Sequence, residues 1–544
     1  MSTSIDAVKL SLLYRRLLSI SEEMSLVLRR TAYSPNIKER ADFSCAIFDR
    51  FGNLIAQAEA IPVHLGSMPF VAKPVIQLFP EWQEGDAIVT NSPRSEFGGT
   101  HLPDVTLLAP VFEGNHLRYV VANRAHHADM GGKTPGSLPA DSTEIFQEGL
   151  IIPPVRLFIK GLENQDIMNF ILENVRTPDE RRGDLRAQYS SLMVGVRRIK
   201  DLMAQKELQP IELLQKELLR RSEVGTRERL MSLGKGEGYY EDFLDTDGFG
   251  GGPVKITCTV TLPGDGSICF DFSGSDKQQA GNCNAPLSVT TSACFYVVRL
   301  LTGSSIPTNS GCFAPIKIIA PEDSVVNPEK NAATSSANTE TSSRIVDVVM
   351  GAIAKIIPWP SASQGTMNNL LIGGIHLGKA WSIYETIGGG TGAGPDNHGT
   401  SGIQSHMTNT ENTPIEALEL AYPLRVREYS IRQESGGQGD FDGGNGIVRE
   451  IELLDTATIT LQSERREFAP YGQGAGTDGL KGRNSVFYAN PNRRLKEANS
   501  RKIISSYKYK NKEYLVVKSK VSLINLEKGS RIRIETPGGG AYSQ

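Results

Sequence analysis

The sequence predicts a mixed α+β fold of several domains, in which N-terminal β-hairpins and helices carry a metal site and the C-terminal part is rich in β-strands. The chain has 544 residues, enough for roughly two to four domains. A helical apolar pattern near its start gives way to alternating, strand-like patterns. Glycine-rich turns then separate short strand-like runs after residue 425. We therefore predict a metal-site α+β domain at 1–240, an α+β middle domain with glycine-rich and polar cleft loops at 241–425, and a β-rich region at 426–544.

The composition narrows the class of protein. Hydrophobic residues make up 39% and charged residues 22%, which is ordinary for a globular chain, and the net charge of −3 gives no reason to expect a nucleic-acid partner. No apolar run approaches the roughly 18 residues that a membrane-spanning helix needs. The first residues lack a basic region followed by an apolar core, so we expect no secretory signal. These observations predict a cytoplasmic protein with free thiols and no membrane partner.

The first elements follow from periodicity. Leucine and other apolar residues recur at mostly three- and four-residue spacing over 5–32, which predicts one amphipathic helix. Residues 42–49 then alternate, with Phe43, Cys45 and Ile47 on one face. The turn at 49–53 leads into a second strand at 54–58, so we expect a β-hairpin.

A second hairpin organises the candidate site. Residues 105–112 and 117–123 predict two strands joined by a turn at 113–116. His101 and Asp104 precede the first strand, and His126 follows the second. Antiparallel pairing would bring the start of the first strand beside the end of the second, with His116 left at the opposite tip. The tight turn at Pro103 would let His101 and Asp104 point at one place.

Two imidazoles and a carboxylate suit a divalent ion such as Zn, Mn or Fe(II). The alternative is a hydrogen-bonded loop without an ion. His126 and His127 are adjacent, so in extended backbone they face opposite ways and only one can join the cluster. Further candidates are acids and a histidine that matter only if the fold brings them near His101: Asp42, Glu59 and His64.

Later segments carry weaker signals. Residues 131–155 have the composition of a loop that flanks an active site, with acids that include Glu144 and Glu148. Residues 166–233 predict surface helices with solvated charge, and 334–343 a polar loop that ends at the start of a helix. The glycine run at 388–394 lacks Gly-Lys-Ser/Thr, so it predicts a flexible cleft loop and not a phosphate-binding loop. From 426 the chain reads as all-β. Its basic segment at 493–520 is either a nucleic-acid patch or, as we favour, a solvated sheet edge.

Several motifs together resemble one known family. They include GTHLPDV at 99–105 and RAHHAD at 124–129, and further matches lie at 39–46, 64–68, 144–150, 405–410, 414–419 and 536–540. These residues resemble the hydantoinase B/oxoprolinase family over nearly the whole chain. Only about 485–530 shows no matching motif.

The resemblance implies a B-type subunit of an ATP-dependent enzyme that hydrolyses cyclic amides, as in hydantoinases, oxoprolinases and lactamases. An A-type partner subunit would bind ATP and Mg²⁺ and phosphorylate the carbonyl oxygen, so this chain itself would bind no nucleotide. The complex would be a heterotetramer. Two alternatives remain open: a subunit of an ATP-dependent ketone carboxylase of the acetone or acetophenone type, and a non-catalytic structural partner.

The resemblance also implies a set of ligands for one divalent ion, Zn or Mn with Fe as a further option: Asp42, His101, Asp104 and His126. Three of these are the residues that the hairpin brings together. The implied chemistry is attack by water, activated by the ion, on the carbon of a phosphorylated lactam or imide. We expect an orienting or proton-relaying residue among His127, Asp129 and Glu144, with His127 ranked first because it adjoins a ligand.

Overall fold

The computed structural model describes residues 7–58, 61–498 and 500–544. Its secondary structure is a mixture of helices and four β-sheets in these ranges, so the α+β prediction is confirmed. The candidate ligand Glu59 lies outside the described residues, as does the start of the chain at 1–6, where we expected no secretory signal.

The first part of the chain builds a seven-stranded antiparallel sheet. Its elements are α1 (Ala7–Thr31), α2 (Pro35–Lys38), β1 (Phe43–Asp49), β2 (Leu54–Gln57), α3 (Pro62–Leu78), β3 (Ala87–Thr90), β4 (Asp104–Glu113), β5 (His116–His126), β6 (Val155–Ile159) and β7 (Leu162–Glu163). The strand order is β2-β1-β5-β4-β3-β6-β7. Both predicted hairpins, β1–β2 and β4–β5, are therefore confirmed.

Helices cover both faces of this sheet. Three helices follow it: α4 (Gln165–Leu172), α5 (Pro178–Met203) and α6 (Ile211–Ser232). Cys45 and Ile47 pack into a core with α1 and α5, whereas their neighbours Ala46 and Phe48 pack into a core with α3. The alternation along β1 therefore serves two cores, one on each side of the sheet.

The prediction that 166–233 forms surface helices was only partly correct. Along α5, the side chains of Arg181, Asp184 and Gln188 are buried. Arg181 Nη2 donates to Asp184 Oδ2 at 2.8 Å, so the two charges compensate each other inside the protein. Because a paired and a solvated charge look alike in a sequence, the pattern could not distinguish them.

The middle of the chain forms a four-stranded sheet and a helical layer. Its elements are β8 (Gly236–Leu244), β9 (Val254–Leu262), β10 (Ile268–Asp271), α7 (Leu287–Thr302), α8 (Ser310–Phe313), β11 (Ile316–Ile319) and α9 (Ser342–Ile353). The sheet order is β11-β10-β9-β8. The predicted loop at 334–343 is instead buried, and Ala337–Thr341 forms a π-helical turn that runs into α9. The run of short polar side chains predicted a polar loop that ends at the start of a helix, but part of it is helical and these side chains bond inside the fold.

The last part forms two sheets. Its elements are β12 (Asn369–His376), β13 (Lys379–Glu385), α10 (Ile415–Ala421), β14 (Leu424–Arg432), β15 (Gly446–Leu453), β16 (Ala457–Gln462), β17 (Arg483–Phe487), α11 (Pro491–Ala498), β18 (Ile503–Tyr509), β19 (Lys512–Val517), β20 (Lys520–Leu526) and β21 (Arg531–Glu535). The strand orders are β13-β12-β16-β20 and β14-β15-β21-β17-β19-β18. Helix α11 interrupts the stretch that we predicted to be all-β.

Strand pairing crosses the boundary that we drew at 425/426. β12 lies before it and pairs antiparallel with β16, which lies after it. The three-domain division stays a prediction. The sheet β13-β12-β16-β20 joins the predicted middle domain at 241–425 to the predicted β-rich region at 426–544. The basic segment includes β18, which is an edge strand of the six-stranded sheet. This position agrees with the sheet-edge interpretation.

The glycine run at 388–394 is not a flexible cleft loop, and that prediction was wrong. Most of it is buried, and it packs against two other glycine-rich segments. A Cβ atom on Gly390 would lie 1.8 Å from the carbonyl oxygen of Gly444 and 2.4 Å from the amide nitrogen of Gly539. The glycines are therefore needed because the backbones approach one another so closely.

Among the described helices, none has the length and apolar content to cross a bilayer. The six cysteines are free thiols, as we predicted.

Candidate metal centre

The site is built on the end of the β4–β5 hairpin. Asp104, the first residue of β4, is the register partner of His126, the last residue of β5. The amide of His126 also donates to the carbonyl oxygen of Asp42 at 3.0 Å, just before β1. Three neighbouring strands therefore begin or end here, and each contributes a candidate ligand.

The turn before β4 brings His101 to the same place. The amide of Asp104 donates to the carbonyl oxygen of His101 at 3.1 Å, which closes the predicted turn over Pro103. Gly98 has a φ of +63°, and a Cβ atom there would lie 2.3 Å from Cβ of Phe70. Glycine at this position therefore allows the chain to pass close to α3 and enter the turn.

Three side chains converge at this point. One potential ligand atom from each of His101, Asp104 and His126 lies within 4.8 Å of the others. The ring centroids of His101 and His126 are 5.0 Å apart. All three side chains are buried, and Asp104 Oδ1 and His126 Nε2 have no hydrogen-bond partner among the described residues. Buried polar atoms are rarely left unpaired, so these two atoms indicate a bound species.

The polar segment before α9 holds His101. Its Nδ1–H donates to the carbonyl oxygen of Ser335 at 3.4 Å, while Nε2 accepts from the side-chain amide of Asn338 at 3.1 Å. Thr100 donates its hydroxyl to Asp104 Oδ2 at 2.5 Å. The bond to Ser335 orients the His101 ring. The Asn338 amide occupies the lone pair of Nε2, so an ion bound at Nε2 would have to displace this hydrogen bond.

His126 is held from α2 and β13. Asn36 Nδ2 lies 3.1 Å from His126 Nδ1 and donates to the His126 carbonyl oxygen at 2.5 Å. Asn36 Oδ1 accepts from the Arg40 guanidinium, which fixes the orientation of the amide. The ring of Tyr384 stacks on the other side of His126, with centroids 4.4 Å apart.

Asp42 lines the same small cavity as Asp104 and His126. It is outside the three-residue group, so the structure places it near the cluster without bringing its carboxylate into contact. Arg40 Nη2 lies 3.9 Å from Asp42 Oδ2. The cavity measures about 10 Å³, which is roughly the room that one water or ion needs.

Burial and charge set the protonation of these groups. Burial raises the pKa of Asp42 to about 7, and the nearby Arg40 opposes this rise. Burial also acts to raise the pKa of Asp104, but the neighbouring His101 and His64 rings hold it well below its usual range. Burial lowers the pKa of His126 well below the ordinary value, and His101 lowers it further. The site therefore favours a neutral His126 beside an ionised Asp104, which are the forms that bind a metal ion.

The donor set fits a borderline or hard divalent ion. Two imidazoles and one or two carboxylates are the ligands that Zn²⁺ and Mn²⁺ accept, and none of the six free cysteines is part of the group. Asp104 Oδ1 and His126 Nε2, which have no hydrogen-bond partner among the described residues, also support a bound divalent ion.

Comparison with known proteins identifies the chain. A sequence model described as Hydantoinase B/oxoprolinase matches residues 6–544.

The chain belongs to the hydantoinase B/oxoprolinase family. The family resemblance inferred from the motifs is therefore confirmed. A 5-oxoprolinase of Dictyostelium discoideum is 38% identical over 547 residues, covering 100% of this chain and 41% of that protein. An uncharacterised protein of Methanocaldococcus jannaschii is also 38% identical, covering 99% of this chain and 90% of that protein. The chain thus spans about two fifths of the length of the 5-oxoprolinase.

Two solved structures share the fold. The ATP-dependent caprolactamase from Pseudomonas jessenii matches with a TM-score of 0.87 at 25% identity, over 99% of this chain and 92% of that one. An acetone carboxylase structure also matches with a TM-score of 0.87, at 17% identity over 99% of this chain and 76% of that one. At that lower identity the likeness shows the hydantoinase B fold alone.

The structure places the three predicted proton-relay residues away from the centre of the cluster. His127 Nε2 bonds Gln188 Oε1 at 2.9 Å on α5, on the opposite side of the strand from His126, as adjacent residues in extended backbone require. Asp129 accepts from Gly131, Gly136 and Arg176, which fixes its loop. Glu144 is exposed.

Residues outside the predicted ligand set take part in the site, among them His64, which was a candidate only if the fold brought it near His101. Asn338 contacts His101, and His64 Nε2 lies 3.5 Å from Asp104 Oδ2 while its Nδ1 bonds the Ser44 hydroxyl at 2.9 Å. Glu148, and not Glu144, is the buried acid of the 131–155 loop, and it accepts from the amide of Ser335 at 2.9 Å. The rarity of histidine could have promoted His64, whereas no local signal marked Asn338.

Proposed function

We propose that this chain is the metal-bearing B-type part of an ATP-dependent cyclic amide hydrolase. It would act on a lactam or imide that an A-type part has phosphorylated. The observation that carries the proposal is the convergence of His101, Asp104 and His126 in a buried cavity with two unpaired ligand atoms. The names 5-oxoprolinase and caprolactamase among its relatives point to ring amides as substrates.

Nucleotide chemistry would lie in the A-type partner. This chain contains no complete Gly-x₄-Gly-Lys-Ser/Thr motif, because the Gly132-Lys133-Thr134 segment has His127 where the first glycine of that motif would stand. ATP and Mg²⁺ are therefore assigned to the partner. The match to this chain covers only 41% of the 5-oxoprolinase of Dictyostelium discoideum. The rest of that polypeptide could contain an A-type part. We propose that this chain acts in a cytoplasmic heterotetramer with two copies of each subunit.

His101, Asp104 and His126 would hold one divalent ion, Zn or Mn with Fe as a further option, and Asp42 would complete the set. The bound ion would supply Lewis acidity for hydrolysis. The chain's own contribution is orientation: the Ser335 carbonyl oxygen accepts from Nδ1–H of His101 and fixes the ring. A carboxylate and imidazoles held in this way lose little freedom when the ion binds.

The cavity has room for an ion or a water and not for a ring substrate. A ring substrate would reach the ligands only if the wall of this cavity moved outward. Tyr384 and Thr408 line that wall, and Tyr384 also stacks on His126. A phosphorylated ring would meet the candidate ligands there.

Reconstitution with the A-type partner tests the proposal. The pair is incubated with ATP and hydantoin, 5-oxoproline or caprolactam, and phosphate release and ring opening are both measured. We expect ATP-coupled ring opening of at least one substrate, lost on Asp104→Asn and kept on Glu113→Gln at the exposed end of the same strand. Turnover that requires bicarbonate would instead support the carboxylase alternative, and full activity of Asp104→Asn would contradict the proposed role of the site.

A further inference from the structure

Glu148 is a buried acid that the proposed chemistry does not use. It follows a one-turn 3₁₀-helix at Ile145–Gln147, and the residue is 0% exposed. Burial raises the pKa of its carboxyl above the ordinary value, and hydrogen bonds oppose that rise, the one from Ser142 most strongly. Taking a carboxylate out of water is unfavourable unless its oxygens are bonded. The contacts of Glu148 therefore indicate what this acid does.

Four donors converge on the two oxygens of Glu148. The amide of Thr334 lies 3.0 Å from Oε1 and 3.1 Å from Oε2, and the amide of Ser335 donates to Oε1 at 2.9 Å. The hydroxyl of Ser142 donates to Oε1 at 2.8 Å, and that of Thr334 donates to Oε2 at 3.3 Å. An ionised carboxylate has only acceptors, so it can accept all four bonds. A glutamine would turn its N–H₂ group toward the amide of Thr334 in either orientation, because that amide faces both oxygens.

The backbone that Glu148 holds continues into the contacts of His101. The carbonyl oxygen of Ser335 accepts from Nδ1–H of His101 at 3.4 Å, and the side-chain amide of Asn338 contacts Nε2 at 3.1 Å. Both contacts come from the segment at 334–338, and Glu148 binds the first two residues of that segment. A shift of the segment would therefore change both contacts of the His101 ring.

We propose that Glu148 is a positioning residue for the candidate metal centre, which holds the 334–338 segment so that the His101 ring keeps its orientation. The inference rests on the proposed metal-bearing function and assigns to that site a residue that touches no ligand directly. Hydrogen bonds that orient a metal ligand typically contribute about 10- to 100-fold in affinity. Because Glu148 acts through the backbone of Ser335, its loss should fall at the lower end of this range.

The segment has other attachments, so the chain should fold without the carboxylate. The hydroxyl of Ser335 donates to the carbonyl oxygen of Pro139 at 3.2 Å, and the amide of Ser336 donates to that of Asn282 at 3.1 Å. Substitution of Glu148 should therefore loosen the segment and not release it.

Binding of Co²⁺ to the full chain tests the inference. Affinity is measured by competition with a chromophoric chelator, and the visible spectrum of the bound ion reports how its ligands are arranged. We expect Glu148→Gln to weaken Co²⁺ binding by about 3- to 10-fold and Glu148→Ala by about 10-fold or more. The spectrum of Co²⁺ bound to Glu148→Ala should differ from that of the native chain in band position or intensity.

Asp245→Asn is the matched control. Asp245 is also buried, and its carboxylate accepts from the backbone amides of a different segment, at Arg466, Glu467 and Phe468. This substitution should lower the unfolding temperature as Glu148→Gln does, and it should leave the affinity for Co²⁺ and the spectrum unchanged. The comparison separates the orientation of a ligand from a general loss of stability.

Native-like Co²⁺ affinity and spectrum in Glu148→Ala, with the variant folded by circular dichroism, would overturn this inference alone. Should Glu148→Ala not fold, native-like affinity in Glu148→Gln would do so. Equal losses of affinity in Asp245→Asn and Glu148→Gln would also overturn it, because the effect would then follow stability. A native chain that binds no Co²⁺ would instead overturn the metal centre of the proposed function, and this inference with it.

Discussion

Asp104 and His126 are register partners across the β4–β5 hairpin. Paired backbones hold their side chains about 5 Å apart at Cβ when both lie on one face, so this pair of candidate ligands is set by strand pairing. His101 joins it through a turn of three residues. The positions of these three candidate ligands therefore depend chiefly on the β4–β5 hairpin and the turn before it.

The contact between Asn36 and His126 should control metal affinity. Asn36→Ala removes the side-chain amide that contacts Nδ1 of His126 and donates to its backbone carbonyl oxygen. We expect metal affinity to fall by roughly 10- to 100-fold, as for other residues that orient a ligand. Competition with a chromophoric chelator measures this affinity. Asn115→Ala, at the exposed tip of the same hairpin, is the control and should bind metal like the native chain.

His127 should support the fold and not hold the ion. Its ring is buried against Gln188, and burial lowers its pKa to about 4. His127→Ala should lower the free energy of unfolding by roughly 1–3 kcal/mol, because it leaves the Gln188 amide oxygen without its bond. Metal content per chain should stay unchanged. A chain that keeps its stability and loses its metal would show that His127 belongs to the ion site.

Two histidine–aspartate pairs should differ in their contribution to stability. His406 Nε2 lies 2.8 Å from Asp347 Oδ1 in the interior, where Asp347 also binds Arg465. Asp347→Ala should cost about 3–5 kcal/mol in urea unfolding, because the buried Arg465 must then share Asp242 with Arg344 and the buried His406 loses its partner. The control pair, His376 and Asp455, lies 2.9 Å apart at the surface. Asp455→Ala should have no measurable effect, and equal losses from both substitutions would contradict this prediction.

Glu340 should lower the free energy of unfolding as pH rises from about 4.5 to about 7. Burial raises its pKa to about 7 from a usual 4.5, and the nearby Glu464 adds to the shift while Lys520 opposes it. The folded chain then keeps a proton between those values that the unfolded chain has lost. The free energy of unfolding contributed by Glu340 should therefore decrease with pH across that window, by up to roughly 1.4 kcal/mol per pH unit.

Urea unfolding at a series of pH values measures this slope. Glu340→Gln has no carboxyl to titrate, so it should lose this contribution. The free energy of unfolding of the native chain minus that of Glu340→Gln should therefore decrease from low pH to about pH 7. The control is Glu81→Gln, at an exposed position, which should keep the native slope. The opposite result would contradict the assigned direction: a free energy of unfolding that rises between pH 4.5 and 7 in the native chain and does not rise in Glu340→Gln.

The parts of the site that the sequence could predict are those set by local structure. The hairpin joins residues close in sequence, so alternation and a turn sufficed to bring Asp104 to His126. Asn338 reaches His101 from a segment 237 positions later, and such a contact depends on tertiary packing that no short pattern records. The buried charges of α5 and the packed glycines at 388–394 were missed for the same reason. In each case the sequence pattern gave the residue types, but it could not show whether those residues face solvent or pack against distant segments.

Metal analysis of the purified full chain tests the central claim most directly. The native chain and His116→Ala, an exposed histidine at the far tip of the hairpin, are compared with His101→Ala by elemental analysis after dialysis against metal-free buffer. We predict about one equivalent of a divalent transition metal in the first two chains and less than about a tenth in His101→Ala, with all three folded. Metal retained in full by His101→Ala, or absent from the native chain even after incubation with Zn²⁺ or Mn²⁺, would contradict the assignment of this site.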